Sequence, residues 1–164
     1  MPPLSILLKP ASSGCNLRCT YCFYADEAKI RAVPNYGRMP EAVSHALIEK
    51  AIGVAEGSVT FLFQGGEPTL AGLDFFRDFV AHVKKTAPSN LAVYYAIQTN
   101  GTLLDQEWCR FFKENRFLAG LSLDGSRECH DRFRLDGKGK GTYSRVQQAA
   151  RQLGQAGVEY NVLT

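Results

Sequence analysis

Apolar residues along the chain fall into short continuous runs that alternate with stretches of helical spacing. The runs predict five strands, over residues 4–9, 58–64, 91–98, 117–123 and 158–163. The intervening pattern predicts four helices: one that begins near residues 39–41 and reaches 51, one over 73–85, a short one capped by Asp105, and one over 143–153 that Gly154 ends. Strands that alternate with helices predict an α/β fold with parallel strands covered by helices.

The first four predicted strands end in polar or glycine-rich segments. A cysteine segment follows the first strand, Gly65-Gly66 the second, Thr99-Asn100-Gly101 the third, and "SLDG" closes the fourth. Ligands of α/β folds collect at the carboxyl ends of the strands. We therefore expect these four segments to converge on one site.

Composition narrows the class of protein. A length of 164 residues suits one domain, and the 45% hydrophobic and 21% charged fractions are those of an ordinary globular protein. The net charge of +3 is too mild to indicate a nucleic-acid or membrane partner. The apolar run at residues 4–8 is too short for a signal peptide or a membrane span. Five cysteines, three of them crowded together, do not resemble a secreted disulfide scaffold, so we expect a cytoplasmic protein.

The densest chemistry lies in the segment "GCNLRCTYCFY", which places Cys15, Cys19 and Cys22 close together. Structural zinc takes four ligands, and the clusters of electron carriers usually take four cysteines in other spacings. Three close thiolates would instead leave one iron of a cluster open. Such an iron can bind a substrate or a cofactor directly, which points to catalysis at the cluster.

Two other interpretations of the cysteines stay open. Cys19 and Cys22 have the C-x-x-C spacing of a redox pair, and a zinc site would take its fourth ligand from Cys109, Cys129 or His130. The pattern places Cys109 in an amphipathic helix as a buried apolar residue, and it places residues 129–131 in a loop.

The spacing C-x3-C-x-aromatic-C, formed by Cys15, Cys19, Tyr21 and Cys22, resembles the signature of the radical S-adenosylmethionine superfamily. The resemblance implies a [4Fe-4S] cluster on the three cysteines, with S-adenosyl-L-methionine bound at the open iron. It also implies reductive cleavage of that cofactor to a 5′-deoxyadenosyl radical, which abstracts a hydrogen atom from the substrate. Tyr21 is expected to place its backbone and ring near the adenine, or else to be a core aromatic residue.

The same resemblance implies which further residues hold the cofactor. In "GGEP", the exposed backbone of Gly65 and Gly66 and the carboxylate of Glu67 suit the methionine ammonium. Ser122 lies where related enzymes place a ribose-binding hydroxyl, and Arg134 could fork onto the methionine carboxylate. Each has a plain structural alternative, namely a turn, a strand-end hydroxyl and a surface salt bridge.

Four longer segments, "LLKPASSGCNLRCTYCFY", "FQGGEPTLAGL", "QTNGTLLD" and "GLSLDG", resemble the N-terminal part of the anaerobic sulfatase-maturating enzymes. The resemblance implies oxidation of a cysteine or serine in an unfolded sulfatase peptide to Cα-formylglycine, with electrons from a low-potential donor such as ferredoxin or flavodoxin. The expected peptide contacts are Tyr24, Gln64, Gln98 and Asn100. Two alternatives remain: another SPASM-type enzyme that forms a thioether or carbon-carbon crosslink, and a non-catalytic iron-sulfur electron-transfer module.

The resemblance also sets the expected fold, which is a partial (βα) TIM-like barrel truncated in its fifth strand. Residues 1–164 would then be the N-terminal part of the radical SAM core domain. Family members continue into the rest of the barrel and a SPASM-type domain with two auxiliary clusters. Only two cysteines follow the cysteine segment, so we expect those clusters and the family's carboxylate base outside this chain. No catalytic residue beyond the cluster site is expected here.

Overall fold

Five parallel strands form one sheet in the computed structural model, which describes residues 3–164. The strands are β1 (Leu4–Leu8), β2 (Ser58–Phe63), β3 (Ala92–Thr99), β4 (Phe117–Ser122) and β5 (Tyr160–Leu163). Their spatial order follows the chain order, and each neighbouring pair is parallel. Strands of a (βα) barrel have this order, whereas the order reverses in doubly wound sheets. The predicted α/β fold is confirmed, and these five strands form an open sheet.

Helices connect the strands. They are α1 (Phe23–Lys29), α2 (Glu41–Val54), a 3-10 turn (Pro68–Ala71), α3 (Leu73–Thr86), α4 (Gln106–Glu114), α5 (Arg127–Phe133) and α6 (Tyr143–Gln155). The four longer helices were predicted. The side chain of Asp105 caps α4 by accepting the N–H groups of Glu107 and Trp108, as expected.

Two short helices were missed, and two local predictions about residues 129–131 and Gly154 were wrong. Helices α1 and α5 were not predicted, and residues 129–131 lie in α5 rather than in a loop. Both helices have seven residues, too few for a helical hydrophobic period to be recognised. A cap signal does precede α5, because Ser126 Oγ accepts the N–H of Cys129. Helix α6 runs through Gly154, and the positive φ that follows the helix belongs to Gly157 instead.

The hydrophobic core lies between one face of the sheet and the helices. Side chains of β2 alternate, so that Val59, Phe61 and Phe63 are fully buried while their neighbours are partly exposed. The Phe63 ring contacts Phe76 and Phe79 of α3 edge-on, with ring centroids 4.9 and 5.0 Å apart. Cys109 is buried in this core, as predicted.

The other face of the sheet is more open within the described residues. Leu7 of β1 is 50% exposed and Tyr94 of β3 is 58% exposed. Ligand-binding side chains of α/β folds lie at the carboxyl edge of the sheet, which here is the edge where β1 to β4 end. No helix among residues 3–164 has the length and apolar character needed to cross a bilayer.

Replacing Phe63 by alanine tests this assignment of the core. We expect Phe63→Ala to lower the free energy of unfolding by about 3–5 kcal/mol, because it empties the centre of the aromatic cluster. The matched change Tyr94→Ala, on the open face, should cost less than about 1 kcal/mol. Urea unfolding of both variants measures the difference, and equal losses would contradict the assignment.

Candidate functional site

The carboxyl ends of β1 to β4 surround one pocket of about 270 Å³. Every residue predicted for the cluster, the cofactor or the substrate lines it: Cys15, Cys19, Tyr21, Cys22, Tyr24, Gln64, Gly65, Gly66, Glu67, Gln98, Asn100, Ser122 and Arg134. Leu17, Phe23 and Thr99, which were not predicted, line it as well. The expected convergence of the four strand ends is thus present, while the individual roles of these residues stay predictions.

The cysteine segment is a loop that the protein holds in place by backbone hydrogen bonds. The N–H of Arg18 donates to Leu135 O at 2.7 Å, and the N–H of Thr20 donates to Phe133 O at 3.0 Å. Leu17, between Cys15 and Cys19, is only 3% exposed and anchors the loop in the fold. The end of α5 and the residues directly after it therefore hold the cysteine loop in place.

Burial shapes the chemistry of the cysteine thiols. It raises the pKa of the Cys15 thiol to about 11, and the nearby Glu67 adds to this effect. Burial also raises the pKa of Cys19, against the opposing influence of the Arg134 guanidinium. In the metal-free chain these thiols are protonated near neutral pH, so metal uptake must displace protons.

The turn after β2 packs directly on the cysteine loop. The N–H of Glu67 donates to the carbonyl oxygen of Gly14 at 2.7 Å, one residue before Cys15. Gly66 has φ +60°, and a Cβ at this position would collide with the same carbonyl oxygen. Only glycine allows the two backbones to approach this closely.

The Glu67 carboxylate joins the ends of two strands. Glu67 is 1% exposed, and its Oε1 accepts hydrogen bonds from the Thr69 N–H (3.1 Å), the Thr69 hydroxyl (2.7 Å) and the Thr99 hydroxyl (2.7 Å). Its Oε2 accepts the N–H of Asn100 at 2.7 Å. Burial raises the pKa of Glu67, and these hydrogen bonds act in the opposite direction. The contact of this carboxylate with an ammonium group stays a prediction. Oε2 is the oxygen better placed to accept it, because it accepts one hydrogen bond here and Oε1 accepts three.

Arg134 reaches the pocket together with a partner that sequence reasoning missed. Its Nε and Nη2 each donate to the Asp124 carboxylate at 2.9 Å, and the Tyr21 hydroxyl donates to Asp124 Oδ2 at 3.0 Å. Burial is the largest single influence and acts to raise the pKa of Asp124, but the hydrogen bonds from Arg134 and Tyr21 and the nearby positive charge together outweigh it and hold that pKa below its usual value. The fork of Arg134 thus engages Asp124 here, and a contact with a methionine carboxylate stays a prediction.

Ser122 is oriented by its neighbour on β3. Gln98 Nε2 donates to Ser122 Oγ at 2.9 Å across the two strands. Gln98 lies flat over Gly120, its partner in the strand register, where a Cβ would collide with the Gln98 amide oxygen. Because Ser122 Oγ accepts from Gln98, its own hydroxyl hydrogen remains available to donate to a ligand.

His130 is held by protein groups on both sides of its ring. It is fully buried, its Nδ1 accepts the N–H of Asp124 at 3.3 Å, and its Nε2 lies 2.9 Å from Thr142 Oγ1. Burial lowers its pKa, so the ring is neutral. Among residues 3–164, no three His, Cys, Asp or Glu side chains are arranged to hold a single metal ion. These contacts argue against the zinc site that used His130.

Comparisons with known proteins agree with this geometry. The Radical SAM superfamily profile matches residues 10–164. A cysteine-type anaerobic sulfatase-maturating enzyme of Clostridium novyi is 49% identical over the whole chain, and a serine-type enzyme of Klebsiella aerogenes is 36% identical over 98% of it. The chain spans 44% and 39% of the lengths of these two relatives.

Solved structures give the same result. The structure described as native anSMEcpe with bound AdoMet aligns with a TM-score of 0.92 and 48% identity, over 98% of this chain and 44% of that one. A second, with bound AdoMet and the Cp18Cys peptide, aligns at 0.91 and 46% identity, over 98% of this chain and 42% of that one. The [FeFe]-hydrogenase maturase HydG, at 16% identity and a TM-score of 0.67, shares the fold alone.

The close contact at Gly66 gives one testable prediction. Gly66→Ala should lower the free energy of unfolding by about 1–3 kcal/mol, since alanine is strained at this φ and its methyl group meets the Gly14 carbonyl. Gly137→Ala is the control, because a Cβ there meets nothing within 4 Å, and it should change stability by about 0.5 kcal/mol or less. Similar losses in both variants, measured by urea unfolding, would contradict the packing of the two loops.

A second prediction follows from the buried Cys15 thiol. In the metal-free chain at about pH 8, iodoacetamide should modify Cys15 at least about tenfold more slowly than the exposed Cys129. The thiolate is the reactive form, and the buried Cys15 is mostly protonated at this pH. The thiolate fraction of Cys15 and its modification rate should keep increasing as the pH rises toward its pKa of about 11. Mass spectrometry of the digested protein measures both rates. A Cys15 rate that levels off below about pH 9 would contradict the burial effect.

Proposed function

This chain belongs to the radical SAM superfamily, and from that premise we propose that it holds a [4Fe-4S] cluster on Cys15, Cys19 and Cys22 and binds S-adenosyl-L-methionine beside it. The observation that carries the proposal is the shared pocket, which brings these cysteines together with Gly65, Glu67 and the other predicted cofactor residues. Bound together, cluster and cofactor supply a 5′-deoxyadenosyl radical that takes a hydrogen atom from a substrate.

The residues of the pocket fit these two groups. Three thiol ligands in one anchored loop suit a cluster with one iron free of protein ligands, since each cysteine can bind a different iron. Gly65 and Gly66 line the pocket without side chains, so the backbone of the "GGEP" turn can approach a ligand there. The chemistry and the position of the donors therefore agree with the expected ligands.

We assign the protein groups the following tasks toward the cofactor. The backbone of Gly65 and Gly66 and the Oε2 atom of Glu67 accept from the methionine ammonium. The hydroxyl hydrogen of Ser122, freed by the Gln98 bond, donates to an oxygen of the cofactor. The Arg134 guanidinium, balanced by Asp124, contributes positive charge near the methionine carboxylate and near Cys19.

The substrate that we propose is a peptide, in a reaction of the sulfatase-maturating type. Relatives are named cysteine-type and serine-type anaerobic sulfatase-maturating enzymes, and a structural neighbour is described with a bound peptide. The side chains of Tyr24, Gln64 and Gln98 are partly exposed at the pocket, where they can contact an extended peptide. Asn100, the fourth predicted contact, is 8% exposed and is the least accessible of the four.

The higher identity to the cysteine-type relative, 49% against 36%, favours cysteine as the oxidised residue. Its Cβ would give up one hydrogen atom to the radical that the cofactor supplies, and loss of one further electron to an electron acceptor and one proton to a base would leave a thioaldehyde. Water replaces the sulfur, which leaves as hydrogen sulfide, and the product is the aldehyde Cα-formylglycine. A low-potential donor such as ferredoxin or flavodoxin, in a reducing cytoplasm, supplies the electron that cleaves the cofactor.

The proposal predicts different results for two single cysteine variants. Cys19→Ala should lose the cluster and reduce dithionite-driven formation of 5′-deoxyadenosine to background, because it removes one of three ligands. Cys129 is an exposed cysteine of α5 that does not line the pocket, so Cys129→Ala should retain the cluster and the formation of 5′-deoxyadenosine. Iron and acid-labile sulfide analysis and chromatography of the products provide the measurements.

Two outcomes would contradict parts of the proposal. A Cys19→Ala protein that still holds the cluster and cleaves the cofactor would refute the ligand assignment. A loaded wild-type protein that forms no 5′-deoxyadenosine would favour an electron-transfer module. For the substrate, a chain extended to the length of its relatives should convert a C-x-P-x-R peptide to a sulfur-free aldehyde, whereas an intact cysteine would argue against maturation.

A further inference from the structure

The side chain of Asn100 lies against the sulfur of Cys15. Asn100 Nδ2 is 3.8 Å from Cys15 Sγ and 2.9 Å from Asn16 Oδ1, so the amide group faces the cysteine loop. The same sulfur accepts the backbone N–H of Leu17 at 3.4 Å. Asn100 follows the end of β3 and is separated from Cys15 by 85 positions in the chain, so the contact depends on the fold.

The orientation of the Asn100 amide is set by Thr102. Asn100 Oδ1 accepts the backbone N–H of Thr102 at 2.9 Å and the Thr102 hydroxyl at 2.7 Å. A backbone N–H can only donate, so the oxygen of the amide must face Thr102 and the NH2 group must face Cys15. A flipped amide would place two donors against each other.

The side-chain amide and the backbone N–H of Asn100 are both engaged in this arrangement. Its backbone N–H donates to Glu67 Oε2 at 2.7 Å, and its NH2 group donates to Asn16 and Cys15. Asn16 closes the network by donating to Thr102 Oγ1 at 2.8 Å. A peptide contact from Asn100 would therefore require one of these hydrogen bonds to break.

We propose that Asn100 is a positioning residue that donates an N–H···S hydrogen bond to the Cys15 ligand and thereby raises the reduction potential of the cluster. The inference rests on the proposed function, because it requires a cluster on Cys15. Reduction adds negative charge to the cluster and its sulfur ligands, and an N–H dipole directed at a sulfur stabilises that charge. Removing the donor makes the cluster harder to reduce.

Redox titration of the reconstituted protein, followed by electron paramagnetic resonance, tests this role. Wild type, Asn100→Ala and Asn16→Ala are compared at equal iron and sulfide content. We expect a midpoint potential shifted to more negative values in Asn100→Ala. Asn16→Ala is the matched control, since the Asn16 side chain accepts from Asn100 and donates to Thr102 in the same network but makes no hydrogen bond to a sulfur. Its midpoint should stay at the wild-type value.

Asn100→Ser provides a second variant if alanine prevents cluster assembly. Its hydroxyl can accept from the Thr102 N–H but is too short to reach Cys15, so it should show the same negative shift. Equal midpoint potentials in wild type and a cluster-loaded Asn100 variant would overturn this inference but leave the proposed function standing. A shift of the midpoint potential in Asn16→Ala equal to that in Asn100→Ala would do the same. Loss of the cluster from both Asn100 variants, with retention in Asn16→Ala, would also overturn it by assigning Asn100 a structural role. A wild-type protein that takes up no cluster would refute the proposed function itself.

Discussion

The rest of the site depends on the hydrogen bonds that the buried Glu67 carboxylate accepts from two strand ends. A carboxylate without exposure to water is costly unless donors surround it, and here donors come from Thr69, Thr99 and the backbone of Asn100. The backbone N–H of Glu67 donates to the Gly14 carbonyl, which directly precedes the first cysteine. One residue thus joins the ends of β2 and β3 to the cysteine loop, and it places Asn100 where its amide meets the Cys15 sulfur.

The fold separates stability from chemistry. Aromatic side chains of β2, β4 and α3 form the core on the helix-covered side, where Phe63, Phe76 and Phe117 pack together. The carboxyl edge of the sheet carries polar side chains whose hydrogen bonds are largely to each other. A parallel order that follows the chain brings consecutive strand ends side by side, so that motifs far apart in sequence share one pocket.

Local patterns in the sequence predicted the strands, the longer helices and the convergence of the strand ends. They succeeded where a run is long and apolar, as at residues 58–63, and the spacing of Cys15, Cys19 and Cys22 indicated the superfamily that the profile match shows. They failed for α1 and α5, which are too short to show a period. They could not reveal the pairing of Arg134 with Asp124 or the contact of Asn100 with Cys15, because such contacts depend on side-chain positions in the folded chain. Conformational detail of this kind, rather than the fold, is what the structure adds.

The most direct test of the central claim is the electron paramagnetic resonance spectrum of the reconstituted, dithionite-reduced protein, recorded with and without S-adenosyl-L-methionine. The claim is that these residues form both a three-cysteine cluster site and the adjoining cofactor site. It predicts a [4Fe-4S]+ signal whose shape changes when the cofactor is added, because the cofactor binds at the cluster. A [4Fe-4S]+ signal that is identical with and without the cofactor would contradict it.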